Sequence, residues 1–363
     1  MDWTALGTSL LYEYACDIPA TAFTGAYKQK TNLLSARFDV FNRIMLIPGE
    51  TVRVLFHIAA TDQCHEFTIT DSDLTTQLLM ARENISVANN QLYYIASSAY
   101  RANLFSDHVF IPVWDSEALA YANIEKINPY ADDNNIILND TVENNINMFF
   151  NNPARKQNAR INDVLTFSDE TTVVKYHQSN VLECNNYQTV DDSITTTFAS
   201  AYNQAVGFIK RDTTITENDD YYLADYKQDP NGNWLLYFDF TVNDLPVFIS
   251  NRGGSTPELA HAIEITVSHD IVTKYMRSAF LYRASEQSIS EVTVNGMDAL
   301  NTACANYALP EDEGGEVEYP ELIQSIDLGY SIDNSDSTSL YWYIGYTGIT
   351  RPYAFSANYR GEE

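Results

Sequence analysis

The sequence predicts a mainly β protein made of two β-sandwich or jelly-roll-like halves, with a few short helices and long loops. Alternation of apolar and polar residues, which marks strands with one buried face, recurs through the 363 residues. Aromatic residues favour strands and make up 13% of the chain, with 25 Tyr and 17 Phe. Clusters of Pro, Asn, Asp and Gly separate the alternating segments, as turns require.

Two hairpins are predicted in the second half of the chain. The first pairs residues 221–227 with 234–242 across a turn that contains Asp, Pro, Asn and Gly. The second pairs 326–332 with 340–346 across a short polar stretch. Both connections contain residues that tolerate the backbone angles of a hairpin turn.

Further strands and a small number of helices follow from the same periodicity argument. The predicted strands are 37–46, 52–60, 66–70, 109–114 and 164–177, then Ile263, Ile265 and Val267, and finally Val292 and Val294. The predicted helices are 74–84, 115–126 with Asp115 as N-cap, and 270–282. Residues 92–104 fit either a helix or a strand.

The chain is long enough for two domains, each with its own core. An irregular region at 182–192 divides it almost in half, so the predicted domains are 1–185 and 186–363. Within the first domain, residues 128–162 are predicted to form an Asn-rich excursion, since ten Asn lie between 134 and 162. A long polar connection of this kind is typical of a crossing loop.

The charge of the chain excludes several classes of partner. Asp and Glu number 49 against 21 Lys and Arg, which gives a net charge of −28. Nucleic acids and anionic membranes bind clustered Lys and Arg, so neither is an expected partner. The N-terminal residues lack the basic and apolar regions of a secretory signal, and no long uninterrupted apolar stretch predicts a transmembrane segment.

No catalytic, cofactor or metal site is predicted from motifs. The histidines form no HExxH or HxH pattern, and no GxSxG elbow or phosphate-binding Gly loop occurs. Cys64 and His65 are adjacent, but neighbours on a strand point to opposite faces and cannot readily share a metal. The cysteines match no CxxC metal pattern and are expected to be free thiols: Cys16, Cys64, Cys184 and Cys304.

Carboxylates offer two weaker alternatives. Asp225 and Asp239 on the first predicted hairpin would suit the paired acids of a glycosidase-like hydrolase. Loops rich in Asp and Asn, such as 229–233, would suit Ca²⁺. A solvated acidic face and ordinary turns explain the same residues more simply in a chain this acidic.

Four residues are predicted to contact partners. The only compact basic patch is Arg155, Lys156 and Arg160, and in so acidic a chain it suits an acidic surface on another copy or on a partner protein. Trp114 is the fourth, as an aromatic platform of the kind that stacks on a ligand. Trp234 and Trp342 would also suit this role, but they lie on faces predicted to be buried.

In strand density, acidic composition and long polar connections, the chain resembles virion structural proteins, namely capsid or tail subunits with jelly-roll-like domains. The resemblance implies a subunit that self-assembles into a viral particle, most simply a capsid shell of single or double jelly-roll type. Copies of itself and other virion proteins would be its partners, and it would reach the virion from the host cytoplasm without a signal peptide. The alternative is a carbohydrate- or receptor-binding β module such as a phage tail or fibre protein, and neither interpretation makes the chain an enzyme.

Overall fold

The computed structural model describes residues 9–26, 33–70, 72–88, 92–97, 105, 109–114, 116–132, 136–161, 164–189, 193–249, 257–306, 323–332, 338–346 and 352–358. Strands dominate these residues and helices are few and short, which confirms the prediction of a mainly β protein. Two jelly-roll-like halves are not confirmed, because the strands lie in one twelve-stranded sheet, one four-stranded sheet and two two-stranded ribbons. Within the described ranges, no helix is both long and apolar enough to cross a membrane.

The elements follow one another in this order along the chain. The strands of the first half are β1 (Leu10–Pro19), β2 (Val40–Ile47), β3 (Val52–Ile58), β4 (Gln63–Ile69), β5 (Tyr93–Ala96), β6 (Phe110–Val113), β7 (Leu119–Ile127), β8 (Gln157–Ile161), β9 (Val164–Ser168), β10 (Thr172–Tyr176) and β11 (Val181–Asn186). Those of the second half are β12 (Tyr221–Gln228), β13 (Trp234–Val242), β14 (Leu245–Ile249), β15 (Ile263–Ser268), β16 (Ile271–Ser278), β17 (Leu281–Val292), β18 (Ile323–Ile332), β19 (Thr338–Tyr346) and β20 (Tyr353–Ser356). The helices are α1 (Ala20–Ala26), α2 (Ser72–Ala88), α3 (Asn139–Asn145), α4 (Phe198–Ile209) and α5 (Gly296–Asn306).

An antiparallel four-stranded sheet, β1-β2-β3-β4, forms the N-terminal part of the molecule. One face buries Phe41 and Phe56 together with Leu78 of α2. The opposite face buries Met45 and packs against Phe110 of β6. Because both faces are covered, every residue of β2 and β3 is buried or half-buried, and neither strand alternates between buried and exposed positions.

The large sheet has the order β20-β19-β18-β14-β13-β15-β16-β11-β10-β9-β8, and β12 pairs with the other side of β13. Its pairings are antiparallel except for β14 with β18. One face, which we call the core face, buries Leu236, Phe238 and Phe240 of β13. A ribbon of β7 and β17 crosses this face, where Tyr282 of β17 contacts the ring of Phe240.

Helix α4 covers the core face beside the ribbon. Its apolar residues recur at helical spacing, and Ala201, Ala205 and Phe208 are buried. The Thr197 side chain accepts a hydrogen bond from the Ser200 N–H at 3.2 Å and so caps the first turn. The sequence signals for this helix were present, although the helix was not among the predictions.

Both predicted hairpins are confirmed. β12 pairs with β13 and β18 pairs with β19, each antiparallel and in the expected order. The predicted strands correspond to β2, β3, β4, β6, β9 with β10, β15 and the end of β17. The predicted helix 74–84 lies within α2, and β5 shows that the ambiguous segment 92–104 begins as a strand.

The predicted helix 270–282 is wrong, since this segment forms β16 and the start of β17. His269 and Asp270 both have positive φ, 49° and 60°, and form the two-residue turn between β15 and β16. Asp270 is therefore a turn residue rather than a helix cap. Tyr275 and Arg277 then alternate on the core face with a period of two.

The predicted helix 115–126 is also wrong, and Asp115 itself lies outside the described residues. Residues 119–127 form β7, which pairs antiparallel with β17. The register shifts in the middle of this pairing, so Tyr121 and Ile124 are both buried although they lie three residues apart. The register shift lets this strand bury two residues at a spacing that also occurs in helices.

The Asn-rich segment 128–162 is a folded part of the core rather than a long loop. It contains α3 and β8, and its residues Val142, Ile146 and Phe150 belong to the main hydrophobic cluster. The predicted domain boundary, 185/186, falls at the end of β11, which pairs with β10 on one side and with β16 on the other. One sheet thus crosses this point, and independent folding of 1–185 and 186–363 stays a prediction.

Candidate functional site

The second face of the large sheet, opposite the core face, carries a concentration of charged and aromatic side chains. Tyr237 and Asp239 alternate with the buried residues of β13 and therefore point to this side. Their cross-strand partners are Asp225 and Tyr222 on β12 and Glu264 on β15. We call the following set the acidic face: Tyr222, Asp225, Lys227, Tyr237, Asp239, His261, Glu264 and Asp327.

A histidine–aspartate pair lies at the centre of the acidic face. His261 Nδ1 is 2.8 Å from Asp239 Oδ2, and the Ala262 N–H donates to Asp239 Oδ1 at 2.8 Å. The carboxylate thus holds the segment that leads into β15 as well as the imidazole. Because Nδ1 carries the bonded proton, Nε2 is the ring atom left to exchange protons.

Burial alone would lower the pKa of His261. The hydrogen bond and charge of Asp239, with smaller contributions from the carboxylates of Glu264 and Asp225, outweigh it and raise the pKa above its usual value. The ring of Tyr237 lies 5.0 Å from the imidazole, centroid to centroid. His261 is therefore a polarised, partly exposed group with carboxylates on three neighbouring strands.

Asp327 extends the acidic face onto β18. Its side chain is exposed and alternates with the buried Ile326 and Leu328. Burial among surrounding protein nevertheless raises the pKa of Asp327 to about 6, with the charge of Glu13 acting in the same direction. The acidic face therefore includes a carboxylate whose ionisation is disfavoured.

Two tyrosines interact electrostatically with Asp327. Tyr94 of β5 is 54% exposed, yet burial, together with the negative charges of Asp327, Glu13 and Asp244, raises its pKa to about 12. Tyr222 of β12 also has a raised pKa, first from burial and then from Asp239 and Asp327. Both tyrosines therefore lie near the Asp327 carboxylate, although one comes from β5 and the other from β12.

Negative charge on the acidic face exceeds positive charge. The set contains four carboxylates against one lysine and one histidine. Lys227 lies over the ring of Tyr237 at 5.3 Å. The nearby Arg43 is used elsewhere, since its Nε donates to Glu13 at 2.7 Å and its guanidinium lies over the Phe110 ring.

A different arrangement occurs on β10 and β11 of the same sheet. There Glu183 lies 2.9 Å from His177 Nε2 and 3.8 Å from Lys175 Nζ. These two groups, with a hydrogen bond from Asn185, lower the pKa of Glu183 although burial opposes the shift. The negative charge of Glu183 is thus balanced by its neighbours, whereas the acidic face has more carboxylates than cations.

A second polar cluster is fully buried and leaves no room for a ligand. Arg277 Nε donates to Asp212 Oδ2 at 2.8 Å, and Arg277 Nη2 donates to the Tyr130 hydroxyl at 3.0 Å. The Tyr275 hydroxyl donates to the same Asp212 oxygen at 3.0 Å. Arg277, Asp212, Tyr275 and Tyr130 are each 0% exposed, so this network joins α4's following loop to the sheet and is structural.

The structure places the predicted contact residues apart from the acidic face. Trp114 is 5% exposed and stacks on Trp342, with 6.2 Å between ring centroids, so it is inaccessible to a partner. Lys156 Nζ lies 2.9 Å from Glu143 and donates to Asn147 Oδ1 at 2.8 Å. Its charge is therefore paired within the Asn-rich segment 128–162. Arg155 and Arg160 are exposed, and their contact role stays a prediction.

The structure also places the other residues that the sequence singled out as aromatic, Ca²⁺ or acid-pair candidates. Trp234 donates its indole N–H to the Thr196 carbonyl at 2.9 Å and is partly buried. Asp229 accepts the N–H groups of Asn231 and Asn233, as a turn residue does. Asp225 and Asp239 do lie on one face, but Asp239 bonds His261 instead of facing a second acid. Among the described residues, no group of three His, Cys, Asp or Glu side chains is placed to hold a metal ion.

Sequence reasoning missed His261 as a partner of Asp239. The two residues lie 22 positions apart, and only the register of β13 with β15 brings them together. In the described part of the chain, His261 has no hydrogen bond to a Ser, Thr or Cys side chain. The pair can exchange a proton.

No protein-family model matches this chain, and no curated protein matches it. Among solved structures, it is similar to YycH from Bacillus subtilis, with 14% identity and a TM-score of 0.58 over 95% of this chain and 79% of that one. The YpeB C-terminal domain of Bacillus megaterium gives 11% identity and a TM-score of 0.30 over 61% of this chain and 93% of that domain, which is too low to support an argument. The chain therefore shares the fold of YycH, and at this identity the similarity shows the fold alone.

The prediction of a virion structural subunit is wrong. The chain has the fold of a bacterial protein along nearly its whole length. This finding overturns the capsid subunit, the phage tail or fibre module and the virion location together. The high strand density that suggested a virion protein is also a property of this fold.

Proposed function

We propose that this protein is a non-catalytic binding protein whose acidic face holds a basic segment of a partner polypeptide. One observation carries the proposal, namely that four carboxylates of the acidic face outnumber its two cationic side chains, Lys227 and His261, with Lys274 of β16 as a further lysine on the same side of the sheet. A segment rich in Lys or Arg supplies the missing positive charge.

The tyrosines of the region support the same partner chemistry. Tyr94, Tyr222 and Tyr237 present rings beside the carboxylates of β12, β13 and β18. Aromatic rings attract Lys and Arg side chains through cation–π contacts and cover their aliphatic stems. Lys227 over Tyr237, at 5.3 Å, is an internal example of that contact.

An extended partner suits this site better than a small ion. The carboxylates are distributed over β12, β13, β15 and β18 instead of converging on one point. The net charge of −28 also raises the rate at which any cationic partner meets the surface.

The test is binding of a fluorescent oligolysine peptide, measured by anisotropy, with oligoglutamate as the charge control. The variant Asp225→Asn/Glu264→Gln keeps the hydrogen-bond acceptors of both side chains and removes two charges from the acidic face. Its affinity for oligolysine is expected to fall about tenfold at low salt.

The matched control is Glu170→Gln/Glu291→Gln. Both of its residues are exposed, one in the turn after β9 and one on the ribbon that crosses the core face. It removes the same formal charge and is expected to change affinity less than about twofold. Equal losses in the two double variants would show that oligolysine responds only to net charge, and would overturn the proposal.

A further inference from the structure

Among the residues that the structure describes, His261 is the histidine that lies in hydrogen-bond contact with a carboxylate of the acidic face. Its Nδ1 is 2.8 Å from Asp239, and its side chain is 27% exposed. Protons can therefore reach it from solvent while the ion pair fixes its position. Protonation or deprotonation of His261 therefore changes the net charge of the acidic face without moving any strand.

Charged and titratable groups face His261 from each neighbouring strand. Asp225 and Lys227 come from β12, Tyr237 and Asp239 from β13, and Glu264 from β15. Burial opposes the imidazolium, whereas the carboxylates of Asp239, Glu264 and Asp225 favour it. The balance lies with the carboxylates, so the proton is held more tightly than on a free histidine.

We propose that His261 is a built-in counter-ion of the acidic face. When His261 is protonated, it neutralises part of the negative charge of the face. When it is deprotonated, that negative charge is available to the basic partner. This inference rests on the proposed function. Partner affinity therefore increases as the pH rises through the pKa of His261, because the face then gains one net negative charge.

Asp327 must be separated from this effect. Its pKa of about 6 means that it also gains negative charge as the pH rises, but over a lower range than a histidine with a raised pKa. The variant Asp327→Asn removes that contribution and leaves His261 in place. His177→Gln removes another carboxylate-bonded histidine, the one that lies 2.9 Å from Glu183.

The experiment has two readouts on the full chain. The first is an NMR titration of the His261 ring protons, assigned by their loss in His261→Gln, which gives its pKa with no ligand present. The second is the affinity for oligolysine at about pH 6.5 and about pH 8.5 at constant low salt. Wild type, Asp327→Asn and His177→Gln are each expected to bind about threefold more tightly at the higher pH.

His261→Gln is expected to lose this gain. In Asp239→Asn the ring pKa falls, so the gain occurs at lower pH. An unchanged pH dependence in His261→Gln, with oligolysine still bound, would overturn this inference and leave the proposed function standing. Absence of oligolysine binding at both pH values would overturn the proposed function and this inference together, even if the NMR titration showed a raised pKa.

Discussion

Asp327 is a carboxylate held where the fold disfavours its ionisation. Its pKa is raised to about 6, first by burial and then by the charge of Glu13, whereas a hydrogen bond from Ser325 and the charge of Arg43 act only partly against this. A raised carboxyl pKa means that the folded state binds the proton more tightly than the unfolded state. Stability from this group is therefore complete below the unfolded pKa and is lost as the pH rises through about 6.

Asp327→Asn tests this residue directly. The amide removes the disfavoured charge, so the free energy of unfolding at neutral pH is expected to rise by up to about 1 kcal/mol, a figure discounted because the side chain is exposed. Urea denaturation at about pH 7 and about pH 4 measures it, and the two proteins should converge at the lower pH. A less stable variant at neutral pH would show that the ionised carboxylate is a stabilising group.

At the scale of the element, local turn chemistry accounts for what the sequence predicted well. The hairpin of β12 and β13 follows from its Asp229 turn and from strict alternation, and both are local signals. The two predicted helices were wrong where the segments form strands instead, one with a register shift between β7 and β17 and one preceded by the positive-φ pair His269 and Asp270. Strand partners that are distant in the chain left no local signal.

The residues of the candidate site could likewise be predicted only where a local sequence signal joined them. Asp225 and Asp239 were singled out because one hairpin carries both. His261 and Asp327 could not be joined to them, since their neighbours are set by the pairing of β13 with β15 and of β14 with β18. Trp114 was misjudged because its stacking partner, Trp342, lies on a strand far along the chain.

Two helical glycines make contrasting predictions. A Cβ at Gly207 in α4 would meet nothing within 4 Å, so Gly207→Ala should stabilise the protein by up to about 1 kcal/mol through helix propensity. A Cβ at Gly296, which begins α5, would collide with the Pro112 carbonyl oxygen and approach Ile111 Cγ2 to 2.9 Å. Gly296→Ala should therefore destabilise the contact of α5 with β6 by about 1–3 kcal/mol.

Thermal and urea unfolding of the two variants measure these changes. Equal effects of the same sign would contradict the contrast between an open helix surface and a backbone contact. The comparison is internal, because both substitutions add one methyl group to a helix of the same protein.

At the scale of the whole molecule, the net charge of −28 opposes folding through self-repulsion and favours a cationic partner. Salt screens both effects. Raising NaCl from about 20 to about 200 mM should increase the free energy of unfolding and decrease oligolysine affinity. Denaturation and anisotropy at the two concentrations measure the opposite trends. A parallel rise of stability and affinity would show that oligolysine contacts are mainly apolar.

The order of strands in the large sheet also sets the order in which the chain can fold during synthesis. β8, β9, β10 and β11 pair in sequence as they leave the ribosome, but β11 must wait for β16 to cover its second edge. Until then the nascent chain presents the open N–H and C=O groups of β11 to other polypeptides. A pause in synthesis between β11 and β16 would prolong this state and so favour mispairing.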